Sequence, residues 1–217
     1  MSGLLLRASW RVVVARPPVL ICAGVAGLLA VAAVPLAEAG HADQVRIGVA
    51  TLLACALAAT AEDPATEVAA ATPHPRWVRC GSRLLAGLVL ALPLAILAVV
   101  LAGLQDPAMP TRAAGLQMLA LLLTGPAIGF GVWAWGNASQ PTYAALVGVL
   151  CVSLALWLVP ATWSVIQFQP WGPPLDAVLI RCAGLVLLAC VVVVTAWRDP
   201  ASGHRSAVSL SAGGDRS

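Results

Sequence analysis

The chain has 217 residues, 60 % of them hydrophobic and 10 % charged, with a mean hydropathy of +0.92. All 12 basic residues are arginine, lysine is absent, and 9 acidic residues leave a formal net charge of +3. A water-soluble domain of this length needs far more charged surface, so the composition excludes one and places the chain in a lipid bilayer.

The chain begins with "LLLRASWRVVVAR", in which Arg7 and Arg11 share one side at i,i+4 among leucines and valines. This reads as a short helix over residues 1–17 lying along the inner membrane face. A rival reading is a secretory signal peptide, because the apolar run that follows ends in "AEAG", an A-x-A-like pattern at Ala37 and Ala39. The run is long enough to span and its charged lead is long as well, which favours an uncleaved first span. Six runs then fit the roughly 20 apolar residues a spanning helix requires: 18–37, 45–61, 84–104, 113–135, 143–160 and 177–197. The second is the weakest, with fifteen uncharged residues from Ile47 to Ala61. Arg46 is expected to snorkel to the interface and lengthen it by a turn. Pro35, Pro93 and Pro126 lie inside spans, where neighbouring helices can satisfy freed carbonyls.

Arginine placement sets the expected orientation. With the N-terminus cytoplasmic, nine arginines fall inside and three, Arg46, Arg112 and Arg181, fall outside. Trp133, Trp135, Trp163, Trp171 and Trp197 sit at or just beyond span ends, as interfacial tryptophans do. The expected fold is therefore an all-α, six-span transmembrane bundle over 18–197 with both termini cytoplasmic, multi-pass in the inner (plasma) membrane. Residues 198–217 read as a disordered cytoplasmic tail.

A search for chemistry gives little. The chain lacks G-x-x-x-x-G-K-[ST], H-E-x-x-H, a paired cysteine knuckle and G-x-S-x-G. It is expected to be no enzyme and to use no metal, cofactor or nucleic acid. Of the six cysteines, Cys22, Cys55, Cys151, Cys182 and Cys190 fall in spans and Cys80 at the inner interface. There they serve as small hydrophobes rather than disulfides or ligands. "NASQ" at Asn137 falls in a cytoplasmic turn and reads as a turn alone. Arg46 and Arg181 are the ionisable groups within spans, each near the outer end. Arg181 is expected to snorkel and pair with Asp176 or a headgroup. Gly125-x-x-x-Gly129 permits a close helix approach.

Two loops stand out. The outer "ATWSVIQFQPWGPPLD", 161–176, is apolar and aromatic, and is expected to dip back into the leaflet. The inner loop, 62–83, is polar and proline-punctuated, with Glu62, Asp63, Glu67, His74, Arg76, Trp77 and Arg79 as candidate partner-docking residues. "DPATEVAAA" suits a turn or two of helix, with Pro64 near its start and carboxylates in its first turns. Either this helix docks a soluble partner, or the loop is a solvated connector anchored by Arg76, Arg79 and Arg83.

The whole arrangement resembles the permease of type-2 ABC exporters. It has an inner-face N-terminal helix, six spans, a cytoplasmic helix between spans two and three, and a re-entrant element before span six. The stretch "EDPATEVAAATPHPRWVR" is similar to "DDPA…AATPVPRWLR" in small actinobacterial membrane proteins of ABC transporter operons. The topological likeness covers most of the chain and the sequence likeness about twenty residues. It implies a permease-like transmembrane subunit that pairs with a second permease subunit. Energy for moving an apolar or amphipathic substrate would come from a separate cytoplasmic ATPase. The alternative is a non-transporting membrane scaffold that docks a cytoplasmic protein through 62–83.

Overall fold

The computed structural model describes residues 16–37, 41–61, 76–107, 109–135, 141–160, 164 and 174–197. These form six helical elements and no strand: α1 (Pro17–Leu36), α2 (Ala42–Ala59), α3 (Arg76–Gln105), α4 (Thr111–Trp135), α5 (Pro141–Leu158) and α6 (Leu175–Trp197). Five of them, all except α5, are long and apolar enough to cross a membrane. The fifth expected span is also an apolar helix, but a shorter one. The bundle has the make-up of a multi-pass membrane protein. The expected interfacial helix 1–17 and the tail 198–217 lie outside the described residues, apart from Arg16 and Pro17.

Prolines shape α1 and α3. Pro17 starts α1, where its missing N–H costs nothing. Pro35 removes another donor near the far end. The turn before it, Leu29–Ala33, is a widened π turn in which the Val34 N–H reaches back to the Leu29 carbonyl. Gln105, at the end of α3, donates to the Pro35 carbonyl at 3.1 Å and fastens the ends of α1 and α3 together. Pro93 sits within α3 and Pro126 within α4. Both helices continue through them.

The centre of the bundle is α2, the helix that looked weakest. It touches α1, α3, α4 and α5, while α6 packs on the far side of α4. In α2 67 % of the apolar window is buried, against 22 % in α6. A helix surrounded by helices meets little lipid and has no need of bulky apolar side chains. What it needs is small residues that let backbones approach, because lipid offers no hydrophobic drive for helix association. The run "ATLLACALAAT" supplies them: Ala50, Ala54, Ala56, Ala58 and Ala59 are all buried.

The α2–α4 seam shows this most directly. A Cβ placed on Gly125 would lie 2.1 Å from the Ala54 carbonyl oxygen, and one on Gly129 would lie 2.6 Å from that of Ala58. The two helices run parallel at a constant residue offset of 71, the same offset that joins Arg46 to Gln117. At Gly125 and Gly129 the two backbones thus approach too closely for any side chain. On α5, Gly148 faces Ile128, and Ala145 and Val149 close over Cys55 and Ala58.

Large apolar side chains point outward instead. Ile21, Leu28, Leu85, Ile96, Leu104, Leu154, Ile180 and Leu187 are all exposed. Such an outer surface suits hydrocarbon and would aggregate in water.

Candidate functional site

Among the described residues the densest polar constellation lies near the start of α2. Asp43 stands in the first turn of that helix, where a carboxylate favours the positive end of the dipole. Arg46 follows at i+3 on the same face. Its side chain is 0 % exposed, whereas that of Asp43 is 27 % exposed. Arg46 Nε donates to Asp43 Oδ1 at 2.9 Å, and Nη2 donates to the same oxygen. Nη2 also donates to Oε1 of Gln117, itself buried, and Nη1 donates to the Ala114 carbonyl at 3.1 Å. Every nitrogen of the guanidinium is used.

The snorkelling expected for Arg46 is therefore corrected. Parallel α4 brings Gln117 and Ala114 alongside it, and Asp43 supplies the counter-charge. These partners hold the guanidinium inside the bundle, where an unpartnered cation would be very costly. Ile47, Met118, Val178 and Cys182 join the same apolar core and bring α6 into it. Chemically the cluster is a clamp. Arginine does not release its proton and the glutamine amide is neither acid nor base, so Arg46 and Gln117 bind and position here. The sequence marks Arg46 but offers little on its partners. Asp43 was legible as an i−3 carboxylate in the first turn of the helix, and Gln117 as the amide within an otherwise apolar span. Their meeting was not.

Arg181, one or two turns into α6, donates to the Ser164 carbonyl at 3.4 Å. Ser164 is buried; the rest of 161–173 lies outside the described residues. All six cysteines are free thiols, with Cys55, Cys80 and Cys182 buried in the core and Cys151 and Cys190 exposed. The described residues hold no group of three or more His, Cys, Asp or Glu side chains able to bind a metal.

Of the candidate docking residues, Glu62, Asp63, Glu67 and His74 lie outside the described residues. The backbones of Arg76, Trp77 and Arg79 are in the first turns of α3, so residues 76–83 belong to a 30-residue helix and not to a loop. Arg83, expected as a surface anchor, is buried, and Cys80 is buried beside it on α3. Both flanks of the segment are firmly held. Arg16 Nη1 donates to the Ala59 carbonyl at 2.6 Å, placing a cation at the negative end of α2. The Thr60 hydroxyl donates to the Leu57 carbonyl at 2.7 Å. A Cβ on Gly87 of α3 would meet the Leu57 and Thr60 side chains at 3.0 Å. The polar segment 62–75 thus joins the last turn of the central helix directly to the longest one. Compared with protein-family models, characterised proteins and solved structures, the chain matches none.

Proposed function

We propose that the chain is the permease-like transmembrane subunit of an ABC exporter in the plasma membrane. Its termini and residues 62–75 would face the cytoplasm, and a separate ATPase would drive export of an apolar or amphipathic substrate. The observation that carries this reading is the packing together of the two helices that flank 62–75. A push on that segment acts at once on α2, which four other helices touch, and on α3. Arginine distribution supports the orientation. The α2–α4 seam is filled by backbone contact at Gly125 and Gly129, with no room for a solute along it. A substrate route then belongs between two such subunits, as in a dimeric permease.

Pulling the tagged full chain from its native membranes tests the reading, with a stoichiometric ATPase subunit as the expected companion. Replacing Glu62, Asp63 and Glu67 together by Gln should weaken that association about tenfold, from roughly 0.5 kcal/mol per exposed charge pair lost with the partner, while membrane level stays unchanged. Full partner retention by this variant would leave the segment a solvated connector. A second reading, a non-transporting scaffold, draws support from the Arg46 cluster, whose saturated hydrogen bonds make a lock rather than a moving part. Recovery of a stoichiometric partner without any ATPase would favour it.

Orientation has its own check. With native cysteines replaced, single cysteines in 62–75 and 200–215 should resist a membrane-impermeant thiol reagent in intact cells. Cysteines at 105–110 should react. Labelling of 62–75 from outside would reverse the topology.

A further inference from the structure

The α3–α4 contact is slight beside the α2–α4 and α4–α6 contacts, although the two helices stay close where they are joined, at Gly103 and Thr111. Between them lies a slot of about 160 Å3, lined by Leu92, Ile96 and Val100 of α3 and by Gly115, Leu119 and Leu122 of α4 among other apolar groups. Its volume is close to that of an apolar protein cavity of about 150 Å3 that stays dry and binds benzene, the scale of a short length of acyl chain. It runs lengthwise for about 12 Å, the rise from Leu92 to Val100. An α-helix with side chains is 10–12 Å across, so a second helix could press on this slot but not enter it. Leu92, Ile96, Val100 and Leu119 are all exposed, so the slot opens sideways to whatever surrounds the bundle.

Charge marks one end of it. Arg112, exposed in the first turn of α4, lies a heptad from Leu119 and one turn from Gly115, on the same side of the helix. No hydrogen bond or ion pair joins its guanidinium to another described residue. Asp106, the acidic residue of the same connection, has an interaction of its own. The first-turn N–H groups of α4 add to the positive character of that end. A cation at a helix end above an apolar slot running along the helix has the layout of a phospholipid, headgroup above and chain below.

We propose that the α3–α4 slot binds one acyl chain of an anionic phospholipid, with the phosphate held at Arg112 and the start of α4. This site depends on the chain lying in a bilayer and not on the exporter reading, so the two stand or fall separately. A detergent belt or bilayer is as apolar as the slot, so the chain gains packing there and no transfer energy. Selection among lipids then falls to Arg112.

Native mass spectrometry of the detergent-purified full chain, titrated with phosphatidylglycerol or phosphatidylcholine, tests this. Phosphatidylglycerol should be retained about fivefold more strongly, the attraction expected of one basic residue near a surface. Arg112→Gln should remove the preference. Gly115→Trp should fill the slot and lower retention of both lipids, while Gly24→Trp on α1 should leave it unchanged. A Cβ meets nothing within 4 Å at either glycine, so both variants should fold. Equal retention of the two lipids by the unaltered chain would overturn the proposal, as would a Gly115→Trp variant that behaves like Gly24→Trp. Loss of self-association in Gly115→Trp with bound lipid unchanged would also overturn it, making the slot a subunit contact.

Discussion

Replacing Asp43 by Ala should remove about 3–5 kcal/mol of bundle stability, because it leaves the guanidinium of Arg46 inside the bundle without its counter-charge. Arg46 is 0 % exposed, so the guanidinium is not solvated in place of the lost carboxylate unless the side chain moves. Against a total stability on the order of 5–15 kcal/mol, that is a large fraction. Arg46→Leu combined with Asp43→Asn should recover part of it, since the charge and its counter-charge leave together while Gln117 Oε1 and the Ala114 carbonyl lose a donor. Thermal unfolding of the purified variants in one detergent, followed by loss of the monodisperse peak, reads the order. Asp43→Ala should fall below the double variant, and the double variant below the unaltered chain. If Asp43→Ala unfolds at the same temperature as the unaltered chain, Asp43 is not the counter-charge that stabilises Arg46 within the bundle.

Gly125→Ala should be the second large effect, and of unusual sign for so small a change. Within a helix the substitution ordinarily gains about 1 kcal/mol, since Ala is the better helix former. Here the added methyl would sit 2.1 Å from the Ala54 carbonyl oxygen, 2.7 Å from its carbon and 2.9 Å from its Cα. All three are backbone atoms, so no rotamer change relieves the clash and the two helices must part. The net cost should reach or exceed the 1–3 kcal/mol typical of overpacking. Ala54→Gly should fail to rescue it, because the methyl removed there is not among the atoms it meets. Gly24→Ala, with open space around its Cβ, should be neutral or mildly stabilising. Comparing the three variants in the same unfolding assay decides the matter. A Gly125→Ala chain as stable as Gly24→Ala would mean that the seam is looser than the backbone distances require.

How much of this was legible beforehand depends on whether a feature is local. Long apolar runs must form helices in lipid, since only internal hydrogen bonds satisfy the backbone there. Composition and run length therefore located the helices: the expected 18–37 is Pro17–Leu36, and 177–197 is Leu175–Trp197. The start of α3 was misjudged. Arginines and a tryptophan in 76–83 look like loop, but nothing in those residues breaks a helix after Pro75, and the apolar span below can nucleate one upward.

What the sequence by itself determined is the helical, lipid-facing character of the chain, the prolines that lie inside spans, and the presence of a close-approach glycine pair. It determined these because backbone hydrogen bonding, proline geometry and the lack of a Cβ are properties of single residues and short runs. Which helix lies at the centre was decided only by tertiary structure. Hydropathy ranks α2 low because of Arg46 and its many alanines, yet the same alanines suit it to be surrounded. Likewise Arg46 reads as a surface cation until Gln117, 71 residues away, is seen beside it. A buried charge is stable only through its partners, and partners distant in sequence become visible only when the helices pack.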